Sequence, residues 1–227
     1  MFKSLEILMN EHRLIEQVLN CLEKIVARCG VDGRLDKESA QQALDFFRTF
    51  ADRCHHGKEE KQLFPLLETR GMGSPCGPLA VMYREHELGR LYVQNMESTL
   101  EAAAAGSQDA VRGFAEHAQS YIQLLREHIG KEDHCLFSNA ERALSSHEDS
   151  QLVAAYEKFE AEEIGPGEAP EMRPRGRRTG STVRRVAGVG AKLKRAKGVG
   201  DMAIPMDRKT TIRELVGRYP PTRPRWG

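Results

Sequence analysis

At 227 residues, with 40% hydrophobic and 30% charged positions, the chain has the composition of a soluble globular protein with a substantial core. No apolar run is long enough for a membrane-spanning helix, and the start, MFKSLEILMNEH, has neither the apolar stretch nor the cleavage site of a secretory signal. The cysteines, Cys21, Cys29, Cys54, Cys76 and Cys135, are odd in number and lack framework spacing, which reads as reduced thiols in a cytoplasmic protein.

The net charge of +1 conceals two opposed segments. Residues 1–164 carry 18 Lys and Arg against 28 Asp and Glu, while residues 165–227 carry 16 against 5. Only the first segment has the periodic apolar pattern of a packed domain, and Gly165-Pro166-Gly167 punctuates the boundary. The expected organisation is a domain over 1–164, a disordered basic linker over 165–201, and a short helical segment over 202–227.

In chain order, Leu5, Leu8, His12, Ile15, Leu19, Leu22 and Val26 step alternately by 3 and 4, the seam of a bundle helix, which Gly30 to Gly33 should end. A second helix is expected from about Asp36 to Thr69, with Phe47, Ala51, His55, Glu59, Leu63 and Leu66 on one stripe and a kink at Pro65. After a loop at Gly71–Pro78, a third helix carries Leu79, Met82, His86, Gly89, Val93, Met96 and Leu100. Gly106-Ser107-Gln108 breaks it. A fourth, to about Leu144, carries Phe114, Ala118, Tyr121, Leu125, His128, Glu132 and Leu136. A shorter fifth helix is expected around Asp149–Glu163. Nothing reads as a strand. The fold expected is all-α: an up-down-up-down four-helix bundle with a short fifth helix and a disordered basic C-terminal tail.

A six-residue pattern falls twice on these inward stripes. Glu11-His12 precedes His55-His56-Gly57-Lys58-Glu59-Glu60 and Leu63-Phe64; Glu85-His86 precedes His128-Ile129-Gly130-Lys131-Glu132-Asp133 and Leu136-Phe137. His12 stands 43 residues before His55, and His86 stands 42 before His128. His and Glu four apart lie one above the other on a helix face, so both can reach one ion. Four imidazoles and two carboxylates make a ligand set for two metal ions, with open positions suited to reactivity. One such histidine alone would ordinarily be a satisfied core residue. Four histidines and two glutamates at matched spacing, where polar groups are costly unless bound to something, favour a site. Imidazole with carboxylate and no thiolate suits iron, zinc or manganese.

The run HHGKEEKQLFP, with an EH upstream and EH and HIGKEDHCLF downstream, resembles the hemerythrin-like (HHE) domain family over about residues 1–164. The resemblance implies a non-haem di-iron centre in a four-helix bundle. Carried over by motif match, the iron ligands are His12, His55, Glu59, His86, His128 and Glu132. The frame of His55 over His56 follows the family run. Oxygen-carrying hemerythrins have a His-x3-His pair on the third helix; here His86 has Met82 and Arg90 at those offsets, so that fifth histidine is missing. The symmetric set is closer to di-iron proteins linked to iron–sulfur repair and the nitric oxide response.

His56, about 100° round an α-helix from His55, reads as solvated or as a supporting polar group, with direct ligation the lesser alternative. Glu60, Asp133, Glu11 and Glu85 are either acceptors for ligand imidazoles or a plain polar face. Gly57 and Gly130, matched in the two copies, suggest close packing or backbone approach at both places. Tyr121 reads as core, Cys54 and Cys135 as buried inert thiols, and His117, His134 and His147 as surface. The basic stretch has no aromatic residue to stack on bases, which favours a solvated linker over nucleic-acid binding.

The function expected is a di-iron protein that binds or turns over a small oxidant, O2, NO or peroxide. The alternative is a non-catalytic iron or oxygen sensor whose basic tail binds a partner. A two-metal hydrolase ranks lower, because no Arg or Lys cluster lies near the core stripes to hold a substrate.

Overall fold

The computed structural model describes residues 1–164 and 215–219. The linker expected at 165–201 and most of the segment at 202–227 lie outside the described residues. Helix α1 spans Lys3–Asp32 and stops at Gly33, whose φ of 68° lets its N–H reach back to the Cys29 carbonyl. The α1 seam is the expected one, buried from Leu5 to Val26.

Helix α2 starts at Lys37–Phe46, with Asp36 as its N-cap accepting from the Ser39 N–H. It runs on in wider π-helical turns at Phe47–His56 and Glu59–Leu63. Pro65 follows directly, in the short α-helical run Phe64–Leu67, and a last π turn, Glu68–Met72, contains Gly71 at φ 86°. Helix α3 is Pro78–Ala104. Helix α4, Gln108–Lys131, is capped by Ser107 and continues through a π turn at Glu132–Leu136 into Phe137–Ala143. Helix α5, Ser146–Ile164, begins three residues before the expected Asp149. Ser145 and Glu148 form its capping box: the Ser145 N–H donates to Glu148 at 2.8 Å, and the Glu148 N–H to the Ser145 hydroxyl at 3.3 Å.

Among the described residues there is no strand, and no helix is long and apolar enough to cross a membrane. Each of the four long helices packs on its chain neighbour, and α1 also packs on α4, which closes the bundle. Helix α5 crosses outside, on α1 and the π-wound part of α2. Asp149 on α5 accepts from the backbone N–H groups of Lys3 and Ser4, at 3.1 and 2.8 Å, which otherwise have no partner within α1.

The core has two apolar clusters. One holds Ile15, Ala51, Val93 and Leu125; the other holds Leu8, Leu63, Met82 and Leu136. On each helix the stretch between them carries the duplicated His and Glu residues. The apolar clusters therefore enclose a polar layer.

Candidate metal centre

All six expected residues, His12, His55, Glu59, His86, His128 and Glu132, are buried in this layer and converge there. Glu59 turns one carboxylate oxygen to His55 Nε2, at 3.5 Å, and the other to His86 Nε2, at 3.6 Å. Glu132 Oε2 lies 3.1 Å from His12 Nε2 and 3.4 Å from His128 Nε2. Each carboxylate thus spans two imidazoles from different helices.

The layer has near two-fold symmetry. The His12 and His55 rings meet at 4.7 Å and 67°, and the His86 and His128 rings at 4.8 Å and 65°. Phe137 stacks on His12 and Phe64 on His86, which gives the phenylalanine closing each copy of the pattern a place at the site.

The outer ring of partners is equally ordered. His12 Nδ1 lies 2.7 Å from Asp133, His55 Nδ1 2.9 Å from Glu11, His86 Nδ1 2.7 Å from Glu60, and His128 Nδ1 3.0 Å from Glu85. Every one of these carboxylates also meets a cation: Arg13, Lys58, Arg90 and Lys131 respectively. A carboxylate that takes the Nδ1–H of a neutral imidazole fixes its tautomer and leaves the Nε2 lone pair for the centre. The sequence left these four acids undecided between imidazole acceptors and a polar face. The structure makes them acceptors.

His56 departs from expectation. It is 4% exposed, not solvated, and its ring stacks on His86 with centroids 3.8 Å apart. The matching residue of the second copy, Ile129, is buried too, although it lies on regular α-helix, so packing around the layer takes in both residues of each pair whatever the local winding. The fifth imidazole that the third helix lacks is supplied to the layer by the second. Two groups of potential ligands result: His12, His55, Glu59 and Glu132, and His56, Glu59, His86 and His128, with the ligand atoms of each group within 4.8 Å of one another.

Burial and neighbouring charges shift the ionisable groups of the layer. Burial pushes His55 and His86 well below the ordinary histidine value and Glu59 well above the ordinary carboxyl value. Burial also works against charge on Glu132, but His128 and His12 outweigh it and hold that carboxyl low. His12 is pushed up to about 9: burial opposes its charge, and the Asp133 carboxylate at Nδ1 together with the facing charge of Glu132 overcomes that opposition. No hydrogen-bond partner meets any of the four oxygens of Glu59 and Glu132, or His12 Nε2 and His56 Nε2. Orphaned buried polar atoms of this kind are costly, and divalent cations would satisfy them. His86 Nε2 and His128 Nε2 are 3.1 Å apart with both Nδ1 atoms already engaged, a separation that suits two lone pairs aimed at one ion. The residues therefore fit a metal.

The two halves differ in cover. A Cβ on Gly57 would lie 2.7 Å from Phe159 Cζ on α5, whereas one on Gly130 would meet nothing within 4 Å. Close packing holds at the first glycine and not at the second, because α5 covers one half alone. Beside Gly57, Lys58 is fully buried between Glu11 and Glu160; its counterpart Lys131 has a side chain 41% exposed. Tyr121 is core, edge-on to Phe47 at 4.9 Å. Cys54 is buried, Cys135 is exposed against expectation, His134 and His147 are exposed, and His117 is half-buried.

A family model described as the hemerythrin HHE cation binding domain matches residues 3–140. The chain is also 25% identical over 160 residues to uncharacterized proteins of Mycobacterium bovis and Mycobacterium tuberculosis, a match over 70% of this chain and 62% of theirs. It therefore spans less than two thirds of these relatives' length. No solved structure matches the chain at a significant level.

Proposed function

The chain belongs to the hemerythrin HHE cation-binding family, and we propose that its bundle holds two non-haem iron ions that bind or turn over a small oxidant such as O2, NO or peroxide. The observation that carries this reading is the pair Glu59 and Glu132, each fully buried, each spanning two imidazoles, with all four oxygens unpartnered. Paired carboxylates and imidazoles in a bundle core suit two iron or manganese ions.

The residues divide the work. His12 and His55 would hold one ion and His86 and His128 the other, with Glu59 and Glu132 shared. The four Nδ1–H donors and their carboxylates keep the imidazoles oriented and basic. Arg13, Lys58, Arg90 and Lys131 balance the charge of that outer ring. Phe64 and Phe137 cover ligand rings, while Leu63 and Leu136, both buried, help to close one end of the layer against bulk water. Iron, when bound, supplies electron exchange with the oxidant.

Anaerobic reconstitution with ferrous iron and metal analysis test the reading. About two irons per chain are expected for a two-metal bundle site, with a near-UV band on oxidation. Less than about one iron per chain would overturn it.

One observation favours a second reading, a sensor whose C-terminal part responds to the centre. The helical turn from Leu215 and the following Tyr219 pack into the bundle: the Tyr219 hydroxyl lies 2.9 Å from Asp36 and Arg218 donates to Ser39 at 2.7 Å. Cys21 on α1 donates to the Tyr219 carbonyl at 3.7 Å. The segment thus touches α1 and the cap of α2, the helices that carry His12 and His55. Thermal melts with and without iron, on the full chain and on one ending at 164, separate the readings: a sensor shows iron-linked stability that depends on the C-terminal part and no consumption of NO or peroxide.

A further inference from the structure

Building on the metal-binding reading above, we infer that Glu160 on α5 is a positioning residue for the ligand His55, acting through Lys58 and Glu11, so that the seating of α5 governs how firmly the layer holds its metal.

Four residues in a row make the connection. His55 Nδ1 lies 2.9 Å from one oxygen of Glu11, the other oxygen of Glu11 receives the Lys58 ammonium, and that ammonium donates to Glu160 at 2.5 Å. The Cys54 thiol approaches the same Glu160 oxygen at 4.0 Å. Lys58 and Glu11 are buried, and the Glu160 side chain is 19% exposed. Charges so placed are screened little by water, so each group feels the next strongly. A fully buried ammonium needs carboxylates around it. Glu11 supplies one and α5 supplies the other.

The internal repeat provides the comparison. Lys58 and Lys131 hold the same place in the two copies, and each meets the carboxylate at Nδ1 of a ligand histidine: Glu11 for His55 and Glu85 for His128. Among the described residues Lys131 pairs with Glu85 alone, and its side chain is 41% exposed. One acid and one cation therefore suffice to serve an imidazole. The third member in the first copy is an addition made by α5.

Loss of the Glu160 charge acts in one direction. It takes a negative charge from a largely buried group and leaves the Lys58 ammonium facing Glu11 alone. Glu11 then accepts the Nδ1–H more weakly, His55 Nε2 becomes less basic, and a cation there is held less tightly. Lifting α5 from Gly57, where Phe159 packs, would have the same effect. Glu160 stands four residues before Ile164, where α5 gives way to the C-terminal part of the chain. Regulation through that part thus has a route to a metal ligand.

The experiment measures Fe(II) affinity of the full chain, anaerobically, by competition with a chromogenic chelator, beside thermal melts of the metal-free proteins. Glu160→Gln, which keeps an acceptor oxygen for Lys58, should weaken one bound ion about 3–10-fold, less than the roughly 10–100-fold loss usual for a direct imidazole partner. Glu162→Gln removes the same charge from an exposed position on α5, where it pairs with Lys158 at 3.7 Å, and should leave affinity unchanged. In a Lys58→Met background Glu160→Gln should cause no further loss, because the connection is already cut. Unchanged affinity in Glu160→Gln, even with a lowered melting temperature, overturns the inference. So does an equal loss in Glu162→Gln, or a full additional loss in the double variant; in each case the metal-binding reading stands. Should Lys58→Met fail to fold, the two single α5 variants still decide. Wild-type iron below about one per chain sinks both readings together.

Discussion

Glu11 accepts the Nδ1–H of His55 at 2.9 Å with one carboxylate oxygen and receives the buried Lys58 ammonium on the other. Lys58 also reaches Glu160 on α5 at 2.5 Å, so one cation ties the imidazole's partner to the outer helix. Burial opposes its charge, but the facing carboxylates hold its pKa above the ordinary lysine value. Lys58→Met should leave Glu11 as an uncompensated buried charge and cost about 3–5 kcal/mol. Lys131→Met removes a half-exposed partner and should cost about 0–1 kcal/mol. Urea unfolding of the metal-free proteins measures both; equal losses would contradict the asymmetry.

Asp133 serves His12 and Arg13 together. Asp133→Asn keeps the shape but weakens the grip on the Nδ1–H. Metal affinity, read by chelator competition, should fall about 10–100-fold, the usual cost of losing such a partner. Unchanged affinity would mean that the carboxylate does not orient the ligand.

The glycine pair gives opposite signs. Gly57→Ala drives a methyl group into Phe159 and should destabilise the protein by about 1–3 kcal/mol, as overpacking does. Gly130→Ala meets open space on a helix and should stabilise it by up to about 1 kcal/mol. Paired thermal melts decide this, and a stabilised Gly57→Ala would show that Phe159 can move aside freely.

Glu148 titrates unusually low, at about 2, chiefly through its hydrogen bond from Arg70 and then those from Ser145. A depressed carboxyl stabilises the fold fully above its unfolded value and loses that contribution as pH falls through the folded value. The anchoring of α5 should therefore weaken between about pH 4.5 and 2. Glu148→Gln should remove this dependence. Carboxyl carbon shifts followed by NMR should place the midpoint near 2; a midpoint at the ordinary glutamate value refutes the Arg70 anchor.

Thiol reactivity reports the C-terminal contact. Cys76 and Cys135 are exposed and should react quickly with an aromatic disulfide reagent, while Cys21, Cys29 and Cys54 should lag. Burial pushes the Cys21 thiol up to about 11, and Tyr219 packs beside it. Leu215→Asp, which places a charge at a fully buried position, should release the turn and speed Cys21 alone. An unchanged rate at Cys21 would show that the turn does not protect it.

Much of the architecture was legible because it is periodic. The α1 seam, the Asp36 start of α2, and the breaks at Gly33 and Gly106 follow from spacing and from glycines at positive φ. So does the convergence of His12, His55, Glu59, His86, His128 and Glu132, since each sits where an apolar stripe is interrupted. The burial of His56 was not legible, because a step of 100° from His55 does not tell how far the neighbouring helices close over it. Gly57 and Gly130 looked equivalent because the repeat is local, whereas α5 covers one copy.

The sequence alone determines which faces of four helices turn inward and which ionisable residues lie on them, because helix period depends on local steps of three and four. Tertiary structure decides how those residues pair. Glu11 meets His55, Glu60 meets His86, Glu85 meets His128 and Asp133 meets His12 only when different turns of the bundle face each other. That His56 is buried and which lysine is buried are likewise settled by how the helices pack and by the placement of α5, neither of which is encoded in residue spacing.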